Sequence, residues 1–473
     1  MLTTRAIDLE TVTVARLLRM LDDGQVTSAD LVQACADRIA ALDTAVHAIR
    51  ALNPAAAEEA RIADEARARG ERGKPLLGVP VLLKDNIDVA GMPTTAGSVA
   101  LAASYPAGDA ALVTGLRAAG AVILGKTNLT EFANFLADGM PGGYSSLGGQ
   151  VLNPYDTSES PSGSSSGSAV AAAMGYAPLT VGTETSGSIL SPAASNSVVG
   201  IKPTVGLVSR TGVVPIAASQ DTAGPMTRTV ADAAYLLTAL TGIDQDDAAT
   251  AANPLADHDF TRDLRADALR GARIGVVRDQ IPPDTTDNRS LWDAAVAVLR
   301  EQGATLVEVE LDTDEGFDST VLNYEFKRDL NAYFARLPES APIRTLAEVI
   351  AYNEAHAGVA LKFGQARALA AQAMDLSPGS ADTRRHDADR ARDLADSRDR
   401  LDGVMAEHRV SALLFAGGGS ASIGAKAGYP SISVPAGYRA ADRRPFAIAL
   451  LGPAWSEPTL VGYAYAFEQA ARV

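Results

Sequence analysis

S-G-S-S-S-G-S-A-V-A-A-A-M-G-Y-A-P-L-T-V-G-T-E-T-S-G-S, residues 162–188, carries a Gly/Ser loop at each end and an apolar, alanine-rich segment between them. A flexible Gly/Ser linker has no such interior. Ala169 to Met174 reads as a tightly packed helix of small residues, and Ala177 to Val181 as a short strand. The two serine loops are therefore held in fixed relation to one another. A pair of catalytic hydroxyls requires this, because a displacement of about 1 Å can lose ~100-fold in rate.

Working outward, the same strand-and-helix grammar recurs. L-G-V-P-V-L-L-K-D, Leu77 to Asp85, is an apolar run short enough for a strand buried on both faces, and Lys84 arrives at its end. Asp109 to Lys126 reads as a helix closing on glycine and then a strand. Further strands are expected at Val198 to Lys202, Ala272 to Val277 and Thr305 to Leu311, the last two bracketing a helix over Leu291 to Gln302. Upstream, Leu9 to Asp22 and Ser28 to Leu42 have apolar residues at helical spacing, and Ala55 to Arg69 is a charged helix stopping at Gly70. Repeated helix-then-strand units predict an α/β protein with a mixed, mostly parallel sheet flanked by helices.

From about Thr313 to Arg409 the strands vanish and charge rises, with Asp and Arg dense over Ser380 to Arg400. Mixed-sign charge reads as a solvated helical excursion. Strand signal resumes at Val410 to Phe415 and Ser431 to Val434. We expect one large domain over residues 1–473: N-terminal helices at 1–70, a core at 78–311, a helical insertion at 313–409 and a return to the sheet at 410–473.

Composition excludes several classes of function. A net charge of −16 opposes a nucleic-acid surface, which needs a basic face. The one cysteine, Cys35, allows no intrachain disulfide, and the five histidines at 47, 258, 356, 386 and 408 are too scattered for a zinc site. The N-terminus is acidic where a signal peptide would be apolar, and no run of about 18 apolar residues follows. The expectation is a cytoplasmic protein without membrane or nucleic-acid partners.

Neither serine loop ends in the Gly-Lys-Ser/Thr of a P-loop, and no G-x-G-x-x-G follows a strand. G-S-S-S-G at 163–167 spells a G-x-S-x-G elbow around Ser165, but no histidine lies in a comparably ordered segment. The long loop from Asn134 to Pro161, rich in Gly, Pro, Ser and Asn, reads as a functional surface loop. Its part from Asn134 to Gly149 has too much glycine to be held by its own side chains.

G-V-P-V-L-L-K-D-N-I-D at 78–88, the G-S-S-S-G-S loop, G-T-E-T-S-G-S-I, V-V-G-I-K-P-T-V-G-L-V-S-R-T-G-V-V-P at 198–215, D-T-A-G-P-M-T-R-T-V-A-D-A-A at 221–234 and A-G-Y-P-S-I-S-V-P-A-G-Y at 427–438 span nearly the whole chain. On these motifs the chain resembles the amidase signature family. The resemblance implies a Ser-Ser-Lys triad, with Ser188 as nucleophile, Ser164 as bridging serine and Lys84 as base. The two serines stand 24 residues apart, the family's spacing, and Lys84 lies in the family's K-D-N. A serine hydroxyl is a weak nucleophile until a base takes its proton, and a lysine serves only when burial makes its neutral form accessible. Taken singly, Lys84 reads as a surface lysine, Ser164 as a helix cap and Ser188 as a turn serine; together, in this context, they read as nucleophile, relay and base.

The resemblance further implies a cis peptide between Gly163 and Ser164, and an oxyanion hole from the backbone N–H groups of Thr185, Ser186, Gly187 and Ser188. It places Asp138 and Gly139 in a loop whose main chain binds the substrate amide, and it implies no metal and no cofactor. Glu184, Ser186 and Leu190, with Ser162 and Ser166, depart from the T-D-T-G-G-S-I-R and G-G-S-S-G-G usual in the A subunit of glutamine-dependent tRNA amidotransferases. S-P-S-G-S-S-S-G-S-A-V, with G-G-Q-V-L-N-P-Y before it, resembles the peptide amidase branch, which converts a C-terminal peptide amide to acid and ammonia. The expectation is such an amidase, as a monomer or homodimer. Three alternatives stay open: an aryl acylamidase or general carboxamide amidase, the amidotransferase subunit with its protein partner, and a non-catalytic binding protein on the same fold.

Overall fold

The computed structural model describes residues 7–283, 287–311 and 319–471. Thr313, the expected start of the insertion, lies outside them, as do Met1 to Ala6 of the expected N-terminal segment. Strands form at β1 Ile49–Leu52, β2 Pro80–Lys84, β3 Val122–Thr127, β4 Tyr144–Ser145, β5 Gly149–Gln150, β6 Leu179–Glu184, β7 Val199–Lys202, β8 Thr222–Thr227, β9 Arg273–Val277, β10 Thr305–Val309, β11 Ala412–Ala416, β12 Ser431–Tyr438 and β13 Pro445–Leu451. Eleven of them make one sheet in the order β1-β3-β2-β6-β8-β7-β12-β13-β11-β9-β10, and β4 pairs with β5 as a separate hairpin.

This is the expected α/β architecture, a large mixed sheet covered by helices. Parallel pairs lie where helix-then-strand units were read, β3-β2-β6 on one flank and β11-β9-β10 on the other. Between them the neighbours run antiparallel, because β8 is inserted between β6 and β7 and β12 returns into β13 through residues 439–444. Strands β8 and β13 were not read from the sequence. Both are buried along nearly their whole length, and a run without alternation offers no period to recognise.

The faces of β2 decide where the site lies. Val81 and Leu83 enter the larger core with helices Ala111–Ala118 and Val230–Leu240, whereas Leu82 joins the core of the N-terminal helices and helix Ser166–Ala173. Side chains two apart on a strand share a face, so Lys84 follows Leu82 toward the serine loop. Helices Ser28–Leu42 and Ala56–Ala68 fall where expected. The first helix is shorter, Val14–Asp22, because Thr13 accepts from Arg16 N–H as its N-cap and residues 8–11 turn around the Asp8 carboxylate.

The helical excursion comprises Ser319–Ala335, Leu346–Ala355, Ala357–Ala360, Ala366–Gln372 and Ala381–His408. Its apolar side, including Leu322, Phe326, Leu330 and Phe334, packs on Phe132, Phe135 and Met140. The long Asp/Arg-rich helix is capped by Ser380 and buries Leu401 and Met405 against β9 and β11.

Candidate active site

Lys84 ends β2 with no exposed surface. Its Nζ lies 2.8 Å from Ser164 Oγ, 2.9 Å from Thr183 Oγ1 and 3.2 Å from the Thr183 carbonyl oxygen. Thr183 Oγ1 also accepts from Asn86 Nδ2 at 2.9 Å. Burial disfavours the ammonium and brings the lysine down from 10.5 to about 7, against the opposing pull of the Asp221 and Glu184 carboxylates. Neutral amine is thus a substantial species at neutral pH.

The serine loop is held from both sides. The Gly163–Ser164 peptide is cis. Thr130 N–H donates to the Ser164 carbonyl at 3.0 Å, Ser165 N–H to the Ser188 carbonyl at 3.1 Å, and Ser165 Oγ to the Thr183 carbonyl at 2.9 Å. The two serine segments are therefore joined directly, with the loop preceding helix Ser166–Ala173 seated over the end of β6. The spacing of small residues explains the closeness: a Cβ on Gly182 would fall 2.9 Å from Ser165 Oγ.

Thr185 to Ser188 turn out of β6, with Gly187 at φ +83°, a conformation that favours glycine. Glu184 pins the far end of this turn, its Oε2 accepting from Ile189 N–H at 2.6 Å and Leu190 N–H at 2.9 Å. Asp221 pins the near end. One of its oxygens accepts from the Thr185 hydroxyl and the other from Ile216 N–H at 2.8 Å and Ala217 N–H at 2.9 Å. The N–H groups of Thr185 to Ser188 themselves donate to no group among the described residues.

A profile of the amidase family matches residues 30–423. The chain belongs to the amidase signature family. It is similar to the peptide amidase of Stenotrophomonas maltophilia, with 44% identity, a TM-score of 0.92 and 98% of each chain covered. A protein of Arabidopsis thaliana described as a probable amidase is 42% identical over 95% of this chain and 88% of its own length. The A subunit of the glutamyl-tRNA(Gln) amidotransferase of Exiguobacterium sibiricum is 35% identical over 97% of each. The chain is thus an amide-hydrolase family member whose likeness to a peptide amidase extends over almost its entire length.

Of the residues picked from the sequence, Lys84 and Ser164 are in hydrogen-bond contact, and Ser188 with its turn is tied to the residue after Ser164. Asp138 is not part of this cluster. Its side chain is exposed and pairs with Arg367 of the helical excursion at 2.7 Å. Gly139 beside it has φ +70° and open space around it. The glycine-rich loop, expected to have too much glycine to be held by its own side chains, is held by side-chain acceptors from outside it. Thr130 Oγ1 accepts from Gly143 N–H at 2.7 Å, Glu131 accepts from Ser146 N–H and its hydroxyl, and Ser145 donates to Asn128 at 3.0 Å. The donors belong to the loop and the acceptors come from the segment just after β3, outside it, which is why the loop's own composition concealed them.

Asn86, Thr183, Ser165, Glu184 and Asp221 were missed as site residues. Each lies within or beside a quoted motif, but only the meeting of β2, β6 and the segment 214–221 shows what each side chain touches. Among the described residues no group of three His, Cys, Asp or Glu side chains is arranged to hold a metal ion, and no helix is long and apolar enough to cross a membrane.

Proposed function

We propose that this chain hydrolyses a carboxamide through an acyl-enzyme on Ser188, with a C-terminal peptide amide as substrate. The observation that carries the reading is the buried Lys84 Nζ, 2.8 Å from Ser164 Oγ, in a setting that favours its neutral form. A neutral amine has two N–H donors and one lone pair. The Thr183 carbonyl and hydroxyl oxygens can take the two donors, which leaves the lone pair for the Ser164 O–H.

In the acylation step, Ser188 Oγ attacks the substrate carbonyl carbon. Its proton passes to Ser164 Oγ as the Ser164 proton passes to Lys84, which becomes an ammonium. The unpartnered N–H groups of the turn at Thr185, Ser186, Gly187 and Ser188 receive the developing oxyanion. Return of the proton along the same path to the leaving nitrogen lets the C–N bond break and ammonia depart. Water, deprotonated by the same relay, then attacks the ester carbonyl and releases the carboxylic acid. Asp138 and Gly139 would act through the main chain of their loop, since the Asp138 carboxylate is engaged with Arg367. No step calls for a metal or cofactor.

Similarity to the peptide amidase at 44% over 98% of the chain supports the peptide-amide substrate. The competing amidotransferase reading is supported by the 35% match over 97%. Release of the amine product by the purified chain alone, ammonia from peptide amides and aliphatic amides and the arylamine from anilides, decides between them. Turnover of peptide amides without a partner, abolished in Ser188→Ala, is expected. No hydrolysis of any amide until a partner protein is added would transfer the chain to the amidotransferase class. Preference for anilides would make it an aryl acylamidase.

A further inference from the structure

The turn that carries Ser188 is clamped at both ends by buried carboxylates, and the clamp at Asp221 reaches furthest through the fold. Asp221 begins the run leading into β8, remote in sequence from both serine loops. It is buried, and its carboxylate accepts three hydrogen bonds: from the Thr185 hydroxyl, and from Ile216 and Ala217 N–H at 2.8 and 2.9 Å. These bonds join the first residue of the turn to the segment 214–217. That segment reaches the end of β2, since Val214 N–H donates to the Asn86 carbonyl at 2.8 Å. A closed circuit results: Lys84 to Thr183, Asn86 to Val214, Ile216 to Asp221, and Asp221 back to Thr185.

We infer that Asp221 is a positioning residue for the amide-hydrolysing turn: its carboxylate fixes Thr185 so that the N–H groups of residues 185–188 converge. This rests on the acyl-enzyme reading given above. Two physical effects follow from one side chain. An oxyanion hole acts through donors held ready in advance, so slack at Thr185 costs transition-state stabilisation without changing ground-state binding equally. A nearby anion favours the ammonium of Lys84, so the carboxylate keeps the lysine more basic than burial alone would.

The charged groups around Asp221 come from every neighbouring element. Lys84, on which Glu184 of β6 also acts, approaches from β2, and Arg210, its Nε held by Asp247 at 2.8 Å, from the segment after β7. Asp329 and Arg336, which follow one another along and just beyond helix Ser319–Ala335, and Asp88 line the same cavity as Asp221. Arg210 opposes the rise that burial imposes on the carboxyl, which stands at about 7.

Asparagine is the discriminating substitution, because it keeps the shape of the clamp and removes its charge. In Asp221→Asn the side-chain amide oxygen can accept from both backbone N–H groups while its NH₂ donates to Thr185 Oγ1. The experiment measures kcat and KM for a blocked, uncharged peptide amide from pH 5 to 9, with melting temperature, for the wild type, Asp221→Asn, Asp221→Ala, Thr185→Val and Ser188→Ala. Asp221→Asn should keep most of kcat at pH 8 and move the acid limb of kcat/KM to lower pH by about 1 unit, the low end of the range for a nearby opposite charge. Asp221→Ala and Thr185→Val should lower kcat by ~10- to 100-fold with KM changed less than ~3-fold, the signature of a lost transition-state contact. If Asp221→Ala fails to fold, Thr185→Val reports on the same bond from its other end. An inactive Ser188→Ala, together with an Asp221→Asn limb that does not move and a Thr185→Val with wild-type kcat, would overturn the role of Asp221 while leaving the acyl-enzyme intact. An active Ser188→Ala would instead sink the acyl-enzyme reading itself.

Discussion

Acidification separates a lysine that works as a base from one that merely fills a hole. Lys84 has no exposed surface, and burial brings it from 10.5 to about 7. If the neutral amine is the active form, kcat/KM follows its fraction: about a half at pH 7, about a tenth at pH 6 and about a hundredth at pH 5, a tenfold loss per pH unit below the pKa. The fold itself should survive this window, as the signs of the other shifts show. Burial raises Asp88 to about 6, and Glu131 and Glu468 to about 7, so their neutral forms suit the folded state. Stability from such groups is fully present at low pH and is lost as pH rises through the folded values. Lys84 binds its extra proton in the unfolded chain between about pH 7 and 10.5, so stability gains with pH across that interval and is level below it. Glu325 is the opposite case. Burial alone would raise it, but Ser219, His386 and Arg328 outweigh burial and leave it below 4.5, so the stability it contributes fails only under stronger acid. The assay is the initial rate of ammonia release from an N-blocked peptide amide with no ionisable group, from pH 5 to 9, with melting temperature at each pH. Two leaving groups of different basicity establish that acylation limits the rate. A flat kcat/KM down to pH 5, with acylation limiting and the melting temperature unchanged, would falsify the assignment of Lys84 as base.

Ser188→Ala should abolish turnover, measured as ammonia release, with an unchanged melting curve. Lys84→Met, close in volume, should lose at least ~10³-fold in kcat and also the acid limb, measured as above. Gly167→Ala places a Cβ 2.5 Å from the Ala48 carbonyl oxygen and 2.7 Å from Asn128 N, so denaturant unfolding should show a loss of about 1–3 kcal/mol as the serine loop is pushed off β3. Asp138→Asn should change stability by less than ~1 kcal/mol and leave kcat/KM near wild type, since it removes one exposed pair with Arg367. Gly139→Pro demands φ near −65° where the chain has +70°, so kcat/KM should fall on every accepted amide; unchanged kinetics would remove this loop from substrate positioning.

Local order in the chain announced much of this protein. Apolar runs at 77–85 and 198–202 and the charged helix closing on Gly70 are short-range features, and those elements form close to where they were read. The motifs around Lys84, Ser164 and Ser188 singled out those three residues. Tertiary structure alone decided what surrounds them. Thr183 is one polar residue in a strand buried from end to end until Lys84 comes to rest against both its oxygens. Asp221 lies 36 residues from its partner Thr185, and no local pattern links an aspartate after a loop to a threonine in a turn. The glycine-rich stretch before the serine loop looked unsupported because its supports, Asn128, Thr130 and Glu131, belong to a different segment. The middle of the sheet turned antiparallel for a related reason. Strand order is set by which buried faces pair across the fold, and periodicity in a single strand records only that the strand is buried.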